Sequence, residues 1–299
     1  MPKVVVIINA GSGTASDNDA LIKRIEELFA GHDLEAEVKL AENGEQLIEF
    51  ARDAAQSDRE IIVAGGGDGT ISAVAAEVVN AKKTLGVLPL GTLNHFSKDL
   101  QIPQILDEAV RVIAEGHTIE IDAGEVNGQL FINNSSIGLY PRIVHKRRQQ
   151  QNRLGRGKWP AAFWAAVSIL RRYPFLQVRI RFEENVLRRK TPFIFVGNNE
   201  YQMEGFRIGA RKNLAEGKLN LYVLHRTGRF GLLLLAFRSL FGMLKQAKDF
   251  DEFLLEEIEI ETKRKKHLLV AFDGEITAMR APLKYKIRPK ALKVIVNGE

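Results

Sequence analysis

The chain has no cysteine among its 299 residues. Disulfides, thiolate metal sites and a cysteine nucleophile are therefore excluded, and the composition fits a reducing compartment. Long apolar runs are also missing. The longest block, Phe230–Leu244, is interrupted by Arg238 and falls short of the ~20 residues that a spanning helix needs. The first apolar stretch, Val4–Ile8, is shorter than the ~7–15-residue core of a signal peptide. These absences set the expectation of a cytoplasmic protein. Two phosphate-binding fingerprints are absent as well: neither GxxxxGK(S/T) nor GxGxxG occurs, so any phosphate site must be built differently. His32, His117, His145, His225 and His267 show no metal-ligand spacing.

What remains is ordinary globular material, 45% hydrophobic and 27% charged, long enough for one or two domains at ~150 residues each. The net charge of +6 is unevenly spread. Residues 1–141 hold 10 Lys and Arg against 22 Asp and Glu, a balance of −12. Residues 142–190 hold 14 against 2, a balance of +12. A basic block beside an acidic region points to a polyanionic partner, either anionic lipid or nucleic acid.

The first 118 residues alternate strand and helix. Val4–Ile8, Leu34–Leu40, Ile61–Ala64 and Leu85–Leu88 read as strands, with helices over Asp17–Ala30, Gln46–Ala55 and Ile71–Asn80. Such alternation implies right-handed crossovers and a parallel sheet. Beyond that point the pattern becomes antiparallel. Ile119–Val126 and Gln129–Ile137 flank the hairpin signal Asn127-Gly128, and Leu176–Phe182 and Val186–Val196 flank Glu184-Asn185. Leu219–Leu224, Glu257–Thr262, His267–Phe272 and Glu275–Met279 read as further strands, and helices are expected at Pro141–Arg153, Pro160–Arg172 and Arg229–Lys248. The expected fold class is α/β with two domains. An N-terminal α/β nucleotide-binding domain with a parallel sheet covers 1–125, and a C-terminal β-sandwich-like domain with inserted helices covers 126–283. The closing strands, Lys284–Arg288 and Leu292–Val296, are placed to return to the first domain.

Three glycine-containing loops follow strands of the parallel sheet: Asn9-Ala10-Gly11-Ser12-Gly13, Gly65-Gly66-Gly67-Asp68-Gly69-Thr70 and Pro89-Leu90-Gly91-Thr92-Leu93-Asn94. They lie at the carboxyl edge of that sheet, where open α/β sheets bind ligands. Glycines let backbone amides approach an anion, and a helix N-terminus favours it. Asp68 repels phosphate directly, so its useful chemistry runs through Mg²⁺ or a proton. A plain turn capped by Asp68 or Thr70 is the simpler alternative.

NAGSG, GGGDGT and PLGTLN, in this order, resemble the catalytic domain shared by bacterial diacylglycerol kinases, sphingosine kinases and ceramide kinases. The likeness continues through Asp122 in IEIDAGEVNG, Glu216-Gly217 in NLAEGKLN and Asp273-Gly274-Glu275 in VAFDGEITAM. It implies ATP bound between an α/β domain and a β-rich lipid-side domain. Gly66, Gly67, Asp68, Gly69 and Thr70 would bind the phosphates, with Ser72 just beyond. Gly91, Thr92 and Asn94 would hold the nucleotide, and Asn9, Ser12 and Gly13 would line the same site. Asp68 and Asp122 would organise catalytic Mg²⁺ through water. Glu275 would be the base for the lipid hydroxyl, supported by Asp273. Glu216, with the carbonyls of Asn213 and Lys218, would hold a structural metal. The chain departs from the family pattern at Ala10, Ala41, His95 and Glu216. Read without the resemblance, Asp273-Gly274 is a hairpin turn with solvent-facing carboxylates.

Arg142, Lys146, Arg147, Arg148, Arg153, Arg156 and Lys158 run into Trp159, Phe163 and Trp164. Basic residues beside aromatic ones suit an anionic membrane interface, and a solvated charged helix is the alternative. No nucleic-acid motif accompanies the charge. The expectation is an ATP- and Mg²⁺-dependent kinase of a lipid hydroxyl, diacylglycerol by default, peripherally attached to the membrane through residues 142–190. Self-association is left open. A soluble kinase using the same GGDGT loop, such as an NAD kinase, and a non-catalytic nucleotide- or membrane-binding module are the rivals.

Overall fold

The structure is a computed structural model, which describes residues 3–12, 15–139, 141, 175–204, 207–211, 213–225, 250–263 and 266–298. The helices expected at Pro141–Arg153, Pro160–Arg172 and Arg229–Lys248 lie outside the described residues, apart from Pro141. So do most of the basic residues of 142–190. The chain divides into two compact units. Met1–Ala123 with Arg288–Glu299 form the first, and Gly124–Ile287 form the second.

In the first unit, strand and helix alternate in the order β1 (Lys3–Asn9), α1 (Ala15–Ala30), β2 (Glu35–Ala41), α2 (Gly44–Gln56), β3 (Ile61–Gly66), α3 (Asp68–Ala81) and β4 (Thr84–Pro89). A single 3-10 turn, Ala10–Ser12, follows β1. The helices α4 (His95–Asp99) and α5 (Leu106–Glu115) come next, then β5 (Thr118–Val126). β1 pairs with β2 and β3, and β3 with β4, all parallel. Val4 through Ile8 are buried, as are Ile62, Val63, Leu85 and Leu88. These continuous apolar runs belong to a sheet covered on both faces. Asn43 caps α2 through its side chain on the Gln46 N–H, and Gly116 closes α5 in the left-handed region at φ 72°.

The second unit is antiparallel. It contains β6 (Gln129–Phe131), β7 (Asn134–Gly138), β8 (Leu176–Phe182), β9 (Asn185–Thr191), β10 (Phe193–Asn198), β11 (Tyr201–Glu204), β12 (Arg207–Arg211), β13 (Leu219–Leu224), β14 (Phe250–Leu255), β15 (Glu257–Thr262), β16 (His267–Phe272), β17 (Glu275–Arg280) and the start of β18 (Leu283–Ile295). One sheet runs β14-β13-β10-β7-β16-β17, and β18, β15, β8 and β9 are neighbours in another. Ile137, Ile194, Val196, Leu221 and Val270 from the first sheet share one core with Val178, Ile180, Ile258, Ile260 and Tyr285 from the second. This is the sandwich arrangement.

The sequence reading did not name α4, α5, β11, β12 or β14, and three of the elements it did name differ. The expected strand Gln129–Ile137 is two strands, because the backbone N–H groups of Ile132, Asn133 and Asn134 are taken by the Asp273 carboxylate instead of a ladder. Val186–Val196 is likewise split, at Pro192, which has no N–H to give. The expected pair at the C-terminus is one strand, β18, whose end pairs with β4 in parallel through Lys293 and Val294.

Candidate active site

β1, β3 and β4 run in register, with Ile8 opposite Gly65 and Gly66 opposite Pro89. The loops that follow them therefore open on one edge of the sheet. Asn9 folds its own loop, its Oδ1 accepting the Gly11 N–H at 3.0 Å. Gly13 and the side chain of Ser12 lie outside the described residues. After β3 the chain turns directly into α3. Gly67 occupies the cap position and offers no side chain to the first-turn amides, which leaves donors of the kind that bind anions.

The second and third loops touch backbone to backbone. A Cβ on Gly91 would stand 2.3 Å from Gly67 Cα and 2.6 Å from Asn94 Oδ1, and one on Gly66 would stand 2.7 Å from the Thr70 side chain. Only glycine fits this seam. Leu90 N–H donates to Gly66 O at 3.1 Å, and Phe96 N–H donates to Asp68 Oδ1 at 3.0 Å. Asp68 is half-buried, and its second oxygen has no hydrogen-bond partner among the described residues. Thr70 is buried, while Thr92 is exposed. Ser72 Oγ is buried with no partner among the described residues.

Asn94 sits in the left-handed region at φ 51°, caps α4 in sequence, and is 5% exposed. Its Nδ2 donates to Pro89 O, Gly91 O and Gln104 Oε1 at 3.2, 2.9 and 3.1 Å. Backbone carbonyls only accept, so this amide orientation is the one the surroundings require. Asn94 Oδ1 is thereby left buried beside the glycine seam without a partner. A glycine cradle and a carboxylate with one oxygen to spare fit a Mg²⁺–polyphosphate ligand, and the orphan acceptor calls for a hydrogen-bond donor elsewhere on the ligand. Magnesium needs only one or two carboxylates when phosphates and water complete its shell. No cluster of three His, Asp or Glu side chains exists among the described residues to hold a metal alone.

Asp122 has a structural contact that the sequence did not indicate. It lies in β5, 1% exposed, and its Oδ1 accepts the Lys290 N–H at 2.8 Å, where β18 bends through φ 50°. That oxygen holds a kinked strand.

In the second unit, Asp273 and Gly274 form the two-residue turn between β16 and β17, at φ 46° and 87°. Asp273 thus stands in a hairpin turn, as one reading of the sequence had it, and Glu275 opens the strand that follows. The Asp273 carboxylate does not face solvent. It accepts from the N–H groups of Ile132, Asn133 and Asn134 at 2.7, 2.9 and 3.0 Å. Glu275, the first residue of β17, is exposed. Around Glu216, Asn213 Oδ1 accepts the Ala215 N–H, Glu216 Oε2 accepts the Glu200 N–H, and the Lys218 carbonyl accepts the Asn199 N–H. The sequence reading did not anticipate the role of Gln104. It also missed Arg211, a buried guanidinium that donates to Ile132 O, Asn198 O and Asn133 Oδ1. No local pattern marks either residue.

A family model described as the diacylglycerol kinase catalytic domain matches residues 3–126. A second, described as the YegS C-terminal NAD kinase beta sandwich-like domain, matches residues 142–296. Residues 3–126 thus form a diacylglycerol kinase catalytic domain, and over half of the chain belongs to the family of the second model. Among the relatives of this family member is the diacylglycerol kinase of Staphylococcus carnosus, 29% identical over 187 residues that cover 61% of this chain and 60% of that protein. A protein of Escherichia fergusonii named "Probable lipid kinase YegS" is 34% identical over 149 residues, 48% of each chain. The chain thus spans about 60% or less of the length of these relatives. A solved structure of a diacylglycerol kinase from Bacillus anthracis str. Sterne has a TM-score of 0.72 at 21% identity, covering 99% of this chain and 97% of that one. A second structure from the same organism gives 0.76 at 22%, covering 99% and 98%. At these identities the likeness concerns the fold alone.

Proposed function

We propose that the chain transfers the γ-phosphoryl group of ATP to the hydroxyl of a lipid, diacylglycerol being the default acceptor and phosphatidic acid the product. The observation that carries this reading is the seam of Gly67 on Gly91, with Asp68 at its rim and the unpaired Asn94 Oδ1 beside it. Phosphoryl transfer asks a protein chiefly to position its reactants and neutralise charge. Backbone amides of the Gly66–Thr70 turn would hold the phosphates, and the touching glycine loops keep those amides from moving. Mg²⁺, when bound, supplies charge neutralisation between phosphate oxygens. Asp68 is the residue whose remaining oxygen would hold it through water. Asp122 is assigned first to the bend of β18.

Glu275 would take the proton of the acceptor hydroxyl as its oxygen bonds to the γ-phosphorus and the bond to the ADP oxygen breaks. Its exposure suits an acceptor arriving from outside the protein. Asp273 supports it by holding the turn on which it stands. The Asn213–Lys218 loop is tied by hydrogen bonds to Asn199 and Glu200, and Glu216 with the carbonyls of Asn213 and Lys218 would hold a structural metal there. No described helix is long and apolar enough to cross a membrane. The +12 block at 142–190 is the segment we assign to anionic lipid, which would bring the chain to a bilayer-embedded alcohol.

The purified chain should be given γ-labelled ATP and Mg²⁺ with diacylglycerol in anionic mixed micelles, and separately with NAD. Magnesium-dependent label in phosphatidic acid supports the reading. Label in NADP alone would make the chain a soluble GGDGT kinase. Label in neither, with ATP still bound, would make it a nucleotide-binding module.

A further inference from the structure

Gln104 lies beyond α4, ten positions from Asn94, and belongs to no motif. Its side chain nevertheless closes a circuit. Asn94 Nδ2 donates to Gln104 Oε1 at 3.1 Å. Gln104 Nε2 donates to Ser97 Oγ at 3.1 Å and to Ile102 O at 2.9 Å. Ser97 Oγ in turn donates to the Asn94 carbonyl at 3.1 Å. Ser97 is fully buried, so the circuit is anchored at one end, while Gln104 itself is exposed.

The circuit restrains Asn94 in two ways. It braces a left-handed backbone, which asparagine adopts more readily than other non-glycine residues. It also gives the third of three acceptors to Nδ2, so that rotation of the amide would strand all three. The atom left over is Oδ1, buried, without a partner, and close to the place where Gly91 meets Gly67. A buried acceptor without a donor is costly unless a ligand provides one.

We propose that Gln104 is a positioning residue of the nucleotide site, which locks the Asn94 amide so that Oδ1 accepts a hydrogen bond from an amino or hydroxyl group of the bound nucleoside. The proposal rests on the nucleotide-binding reading above. It concerns the nucleoside part of the ligand, because a polyphosphate at neutral pH has no comparable donor to offer.

The test is a binding measurement on the full chain, made with ATP and with tripolyphosphate in the presence of Mg²⁺ and accompanied by thermal melts. Gln104→Met removes both halves of the Gln104 contribution at similar size. It should weaken ATP by roughly 5–10-fold, the order of one hydrogen bond lost to the ligand, leave tripolyphosphate within about twofold and lower Tm only modestly, since the residue is exposed. Gln104→Glu keeps an acceptor for Asn94 Nδ2 and should recover most of the ATP affinity. In the Asn94→Ala background, Gln104→Met should have no further effect on ATP. Equal weakening of ATP and tripolyphosphate, or full additivity with Asn94→Ala, would overturn the proposal in favour of a general role in loop stability. Unchanged ATP affinity in Gln104→Met would overturn it outright. If the wild-type chain binds tripolyphosphate but discriminates no nucleoside, the proposal fails while a phosphate site stands. If it binds neither, the kinase reading itself fails and takes the proposal with it.

Discussion

Asp68 Oδ1 accepts the backbone N–H of Phe96 at 3.0 Å, across 28 residues of chain. The carboxylate expected to serve the phosphate site is therefore also the tie between the helix after the triple glycine and the helix after PLGTLN. In the proposed reading, structure and chemistry use different oxygens of one side chain, and a substitution can separate them. Asp68→Asn keeps a carbonyl oxygen for Phe96 and loses the charge. It should lower turnover by at least ~10²-fold, in the range of losing one electrostatic element of a transition state, with little change in Tm. Asp68→Ala should lose activity equally and also about 1–3 kcal/mol of stability, from the stranded N–H and the lost charged acceptor. Initial rates and urea titrations on both variants separate the two roles, and near-wild-type turnover in Asp68→Asn would remove the charge from the mechanism.

Gly91→Ala tests the seam. Its Cβ would overlap Gly67 Cα and crowd Asn94 Oδ1, so the two loops must part. Backbone shifts of this kind cost about 1–3 kcal/mol. ATP binding should fall at least as steeply as stability, because the displaced atoms are those proposed to hold it. Isothermal titration with ATP alongside thermal melts checks this, and unimpaired ATP binding in a destabilised protein would place the ligand elsewhere.

At the β16–β17 turn the two carboxylates should part company under mutation. Glu275→Gln should reduce turnover by at least ~10²-fold, the low end for loss of a general base, and leave the urea midpoint unchanged because the side chain is exposed. Asp273→Ala should instead destabilise by about 3 kcal/mol or more, since three N–H groups lose a charged acceptor and alanine must take a positive φ. Equal stability of the two variants would contradict this division of labour.

Asp251 gives a pH dependence with a definite sign. Burial pushes its carboxyl up, but the hydrogen bonds from His225 and Arg189 outweigh it and hold it below the ordinary 3.8. A carboxyl lowered on folding contributes stability above its unfolded value and loses it as pH falls through the folded value. The gap in urea midpoint between wild type and Arg189→Gln should therefore be widest above about pH 4 and close as the solution is made more acidic. A gap that stays constant down to pH 2 would mean that the pair adds nothing through charge.

The basic block is tested by reversing Arg147, Arg148 and Arg153 to Glu. Each cation near an anionic surface contributes ~1 kcal/mol, so binding to vesicles rich in acidic lipid should weaken by more than ~100-fold. The wild-type binding itself should weaken with salt, which screens such attraction over ~8 Å at physiological ionic strength. Turnover on a short-chain, water-soluble acceptor should persist. Vesicle co-sedimentation unaffected by the triple change would make the block a solvated face or a protein contact.

By itself the sequence determined the parts that depend on neighbours along the chain. The apolar runs Val4–Ile8 and Ile61–Ala64 could only be strands buried on both faces. Asn127-Gly128 could only be a tight turn, and the three glycine loops had to follow parallel strands and so share an edge. Propensity, periodicity and the need for positive φ act over a few residues and are written locally. Tertiary structure alone decided which oxygens are already in use. Asp122 spends one on Lys290, 168 residues away. Asp273 spends both of its oxygens on the loop that divides β6 from β7, and Gln104 is drawn to Asn94. A polar side chain's partner is whichever N–H or C=O the sheet registers and loop crossings leave unpaired. That remainder exists only once distant strands have been aligned, so no residue type or spacing records it.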